Sequence, residues 1–92
     1  MKRAKSIPGV KIVEKKLGRE NAFGQVWMDT KLIEIDPRQS EKDRIDTVIH
    51  ELLHLAKPHW SEKHVVRIAT FLARALWKEG YRRIHQRPPP WA

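Results

Sequence analysis

Two helical stretches, each with its own start and stop signal and only a few residues between them, constrain this chain more than any other feature. Ser40 followed by Glu41, Lys42 and Asp43 reads as an N-cap with acids in the first turn, and Pro58 halts the run at about Lys57. Ser61, with Glu62 behind it, opens a second run that reaches about Glu79, where Gly80 supplies a natural stop. A connection of about four residues forces the two helices to pack antiparallel. The residues before Ser40 read differently. Val10–Lys16 alternates in part and ends at Gly18, and Gly24–Met28 is a second extended candidate followed by the polar turn Asp29-Thr30-Lys31. Leu32–Asp36 is a third candidate, closed by Pro37, with Ile33 and Ile35 on one side and Glu34 on the other. The expected fold is α+β: a small antiparallel sheet of about three strands followed by two antiparallel helices. It forms a single domain over residues 1–92, with a basic N-terminal segment at 1–9 and an extended Pro-rich tail at 86–92.

A core built from so few elements is thin. The chain has 92 residues and no cysteine, which excludes disulfides, thiolate metal sites and cysteine nucleophiles. Chains of this size without disulfides commonly need a metal ion or a second copy to hold them, so the five histidines matter first. No apolar run approaches the roughly 20 residues of a membrane span. No apolar stretch follows Met1-Lys2-Arg3-Ala4-Lys5 before Pro8-Gly9, so the start is not a secretory signal and a cytoplasmic location is expected.

Residues 50–54 read His50-Glu51-Leu52-Leu53-His54, an H-E-x-x-H pattern inside the first helix. Histidines four apart lie one turn apart on one helical face, so both imidazoles reach one metal ion. Glu51 sits beside that face, where it can take a proton from water without occupying a coordination position. At about 100° per residue from His50, His54 falls at about 40°, whereas Ile45, Val48, Ile49, Leu52, Leu53, Leu55 and Ala56 span about 140–300°. The two histidines therefore occupy a polar face of a helix that is otherwise mostly buried. Asp46 and Thr47 lie near that face and read as solvated polar residues, with orientation of a histidine as the alternative.

A catalytic zinc ion, one per chain, needs a third protein ligand and one open position. The candidates are Glu62, His59 and His64. On the second helix Glu62 shares a face with Val65, Val66, Ala69, Leu72, Ala73 and Leu76, which must pack on the first helix; a carboxylate there is costly unless paired or metal-bound. Lys63, Arg67, Arg74 and Lys78 form the solvent face, and His64 points away from the packing face. Glu62 is thus preferred. His59 falls one residue short of the third histidine of the longer three-histidine pattern, which also needs a glycine where Lys57 stands. His59 or His64 could instead hydrogen-bond a substrate oxyanion.

The formal charge is +8, from 19 Lys and Arg against 11 Asp and Glu, and it is uneven. Lys2, Arg3, Lys5, Lys15 and Lys16 crowd the N-terminal part and are candidates for non-specific contact with nucleic-acid phosphates. Four tryptophans stand out: Trp77 and Trp27 as core or sheet-face residues, Trp60 as a staple before the second helix, and Trp91 in the tail. The H-E-x-x-H pattern points first to hydrolysis of peptide bonds, and a metal-dependent nuclease or other hydrolase, or a basic nucleic-acid-associated module with a structural metal, are the alternatives.

From about Gly24 to Arg83 the chain resembles the small H-E-x-x-H zinc metallopeptidases encoded by phages and prophages, which are gluzincin-like on a minimal zincin scaffold. The resemblance rests on I-E-I-D-P before the first helix, on D-T-V-I-H-E-L-L-H, on Ser61-Glu62 and on A-R-A-L-W-K-E-G-Y-R-R. A fainter similarity runs to SprT-like and ImmA/IrrE-type proteases. The resemblance implies His50 and His54 as zinc ligands, Glu62 as the third, Glu51 as catalytic base, and a protein or peptide substrate. It also implies that an edge strand, Leu32–Asp36 or its partner Gln25–Met28, pairs with the substrate. Glu62 follows His54 more closely than the corresponding glutamate does in larger gluzincins.

Overall fold

A computed structural model describes residues 9–18 and 22–84. The elements run β1 (Lys11–Glu14), β2 (Gly24–Trp27), β3 (Leu32–Ile35), α1 (Glu41–Ala56) and α2 (Glu62–Glu79). The α+β class is as expected. The sheet, however, is mixed rather than antiparallel: its order is β1-β3-β2, with β2 antiparallel and β1 parallel to β3. The reason lies in β3, the most apolar strand. Ile33 and Ile35 are fully buried, so β3 takes the centre and is flanked on both sides. The register sets Glu14 and Gly24 on either side of Ile35. Leu17, buried just beyond β1, donates its N–H to Asp36 Oδ2 at 2.9 Å. A central β3 has no free edge, which corrects the expectation that Leu32–Asp36 could pair with a substrate. Only β2 of the two remains an edge strand.

Both helices start where local chemistry puts them. The Ser40 side chain accepts the Asp43 N–H and the Ser61 side chain accepts the His64 N–H, each at 3.1 Å. Gly80 closes α2 in the left-handed region at φ 99°, with its N–H on the last carbonyls. The helices run antiparallel. Glu62 meets His54 at one end, the Thr70 hydroxyl donates to Asp46 in the middle, and Arg83 donates to Glu41 at the other end. α1 is the middle layer, with β2 and β3 on one side and α2 on the other. Val65, Ala69 and Ala73 are buried against it, small residues that let the two backbones approach. Val66, expected on this packing face, is instead turned outward and 45% exposed. Arg83 ties the layers together from outside, donating to Glu14 of β1 at 2.7 Å and Glu41 of α1 at 2.8 Å. Among the described residues, no helix is long and apolar enough to cross a membrane. The basic residues Lys2, Arg3 and Lys5 and the 86–92 tail with Trp91 lie outside the described residues.

Candidate metal centre

The helical pitch of α1 brings His50 and His54 together, and the short connection to α2 brings Glu62 over both. The two imidazole rings stand edge to face with centroids 4.8 Å apart. Their Nε2 atoms are 3.2 Å apart. Glu62 bridges them, with Oε1 2.8 Å from His54 Nε2 and Oε2 3.1 Å from His50 Nε2. Each residue can offer one ligand atom, these atoms all lie within 4.8 Å of one another, and among the described residues this is the cluster that could hold a metal ion. Ligand bonds of about 2.0–2.1 Å in a zinc tetrahedron put neighbouring donors about 3.3 Å apart, close to the separation of the two imidazole nitrogens. Two imidazole nitrogens and one carboxylate are also a donor set that leaves a fourth position open. Glu62 reaches this place differently from the expectation. It is the first residue of α2, its side chain is 65% exposed, and only its carboxylate folds over the imidazoles. No buried position on an apolar face is involved.

Glu51 has the opposite environment. It is the buried acid of α1, pressed between that helix and β2. Burial pushes its carboxyl above the usual carboxylate range, the neighbouring His50 and His54 oppose that rise, and Glu62 adds to it. The close approach of β2 depends on Gly24. A Cβ there would stand 2.6 Å from Thr47 Cγ2, 3.2 Å from Glu51 Cγ and 3.3 Å from Glu51 Oε2. Gly24 is the residue of the site that sequence reading missed. The available signal was a lone glycine inside a strand pattern, which marks close backbone approach.

A cleft of about 240 Å³ opens beside the histidines, lined by Phe23, Gly24, Asp46, Thr47, His50 and Glu51. The free edge of β2 borders it. Asp36 donates its N–H to the Phe23 carbonyl at 2.8 Å, so the alternation of an antiparallel ladder points the main-chain groups of Gly24 and Val26 away from β3. Asp46 and Thr47, expected in solvent, are half-buried and engaged: Asp46 accepts from the Thr70 hydroxyl, and the Thr47 hydroxyl donates to Gln39 at 2.8 Å. The other candidates stand apart. His59 is exposed in the connection. His64 lies against the Trp60 ring with centroids 4.4 Å apart, and its Nδ1 accepts from Arg67. Neither joins the cluster of three. Lys15 and Lys16 are exposed beyond β1, where Lys15 comes within 3.8 Å of Glu34. Trp27 lies on the outer sheet face, about half exposed, and donates to Glu34 at 3.0 Å, while Trp77 is half-buried under the Arg82 guanidinium. No protein-family model matches the chain, and no curated protein or solved structure matches it at a significant level.

Proposed function

We propose that the chain is a zinc-dependent peptidase of the H-E-x-x-H type, akin to the small phage-encoded enzymes it resembles. One observation carries the reading: His50, His54 and Glu62 bring their donor atoms within 4.8 Å of one another while Glu51, next in sequence to His50, is buried just beside them. A zinc ion held there would polarise a scissile carbonyl and make a water acidic enough to lose its proton near neutral pH. The chain's own residues supply the rest. The Gly24 and Val26 main-chain groups hold an extended peptide as an added strand and lay its carbonyl across the cleft. Glu51, its carboxylate shielded from bulk water, takes the proton of the attacking water and hands it to the leaving amine. Protein or peptide substrates and a cytoplasmic setting belong to the same proposal.

The test is Glu51→Gln. The variant should bind zinc as the wild type does and cleave a fluorogenic peptide library about 10²–10⁴-fold more slowly. Unchanged cleavage removes Glu51 as the base. Single-stranded RNA in a parallel incubation separates peptidase from nuclease, since degradation that depends on Glu51 there would replace the peptide reading.

A further inference from the structure

The face of α2 opposite α1 is covered by nothing among the described elements, and its composition is one-sided. Lys63, Arg67, Arg74 and Lys78 follow one another at helical spacing along about 22 Å of the axis. The helix's own acids, Glu62 and Glu79, lie on other faces. Among the described residues Lys63, Arg74 and Lys78 are in no ion pair, and Arg67 donates only to His64. Arg74 also lines a neighbouring cleft with Asp43 and Asp46 of α1, with no ion pair to either among the described residues. A shallow trough of about 590 Å³ lies along this face, lined by Arg67, Arg74 and Lys78 with Val66 on one side of them and Phe71 and Ala75 on the other, and Phe71 is 67% exposed. Exposing an aromatic ring to this extent, beside cations that pair with no carboxylate among the described residues, is not required by packing on α1.

We propose that this face docks an acidic amphipathic helix of a partner protein, its apolar side chains lying over Phe71 and Val66 and its carboxylates meeting Lys63, Arg67, Arg74 and Lys78. Charge complementarity selects that occupant. A second copy of this chain would set cation against cation across the same trough. A nucleic-acid backbone would answer the charge but leave Val66 and Ala75 without partners, whereas helix-in-groove binding uses both. The surface is separate from the metal cluster, so the proposal stands whether or not the chain is a peptidase.

A fluorescein-labelled synthetic peptide of about four helical turns, with Leu on one face and Glu flanking it, tests this by anisotropy against the full chain without added metal. The peptide should bind, and the double substitution Arg67→Glu with Arg74→Glu should weaken it by at least about tenfold. Phe71→Ser should weaken it about tenfold through the apolar term. A peptide with Lys in place of Glu should fail to bind wild-type protein, which decides the matter even if a variant misfolds. Absence of binding, or equal binding by a peptide with the same composition in scrambled order, overturns the proposal. So does tighter binding of a single-stranded oligonucleotide or of anionic phospholipid vesicles through the same residues.

Discussion

Between Gly24 and Thr47 there is no room for one more methyl group. The hydrogen that stands in place of a side chain at Gly24 lets β2 lie against Glu51, so a single residue sets how deeply the acid is buried. Gly24→Ala should destabilise the fold by about 1–3 kcal/mol through overpacking and displace the Glu51 side chain. Thr47→Ser removes the methyl group that the new Cβ would strike and keeps the hydroxyl that donates to Gln39, so the double variant should recover most of the lost stability. Chemical denaturation of the two single variants and the double variant measures this. Additive losses would mean that the Gly24–Thr47 approach does not limit the packing.

At the scale of elements, the sheet and its connection are pinned by Asp36 at the end of β3. This buried carboxylate accepts from the Arg38 guanidinium, from the Leu17 N–H and from the Arg38 N–H, in that order of effect, and all three hold it well below the usual carboxylate range. Glu34 on the outer face is also held low, first by the Trp27 indole and then by Gln25. Groups held low stabilise the fold above their unfolded value, about 4, and the contribution disappears as pH falls towards the folded value. Stability measured by urea unfolding should therefore fall as the pH drops below about 4, and Asp36→Asn should make that decline shallower while lowering stability at neutral pH. The elements differ in how far the sequence reveals them. α1 and α2 were readable to within a residue or two because Ser40, Ser61 and Gly80 act on their own neighbours. His50 and His54 were readable for the same reason. The strand order was not, because it depends on which strand wins the central position by burial, a competition between residues far apart in the chain. Gly24 was hidden likewise, since its constraint comes from Thr47 and Glu51 on another element.

At the scale of the whole molecule, the three layers are joined, among the described residues, by few buried side chains, with Ile33, Ile35 and Val65 the largest of the fully buried ones. A ligand that binds only the folded state adds about 2.7 kcal/mol at a hundredfold excess over its Kd. In a domain of this size that shifts Tm by roughly 10–20 °C. Saturating zinc should produce a rise of that order, reversed by chelator and largely absent in Glu62→Ala, whereas His64→Ala should keep it. A melting curve indifferent to zinc would remove the metal from the proposed function. The arrangement of the donors also bears on the order in which the chain folds. Four positions separate His50 from His54 and eight separate His54 from Glu62, so closing this loop costs little chain entropy. Glu14 and Arg83, by contrast, meet across 69 positions. Contacts between near neighbours in sequence form sooner than distant ones, so the helical hairpin carrying the three donors is expected to assemble ahead of β1. A metal ion that meets the growing structure at that stage would find its ligands gathered before the sheet is complete, and would then act as a folding nucleus.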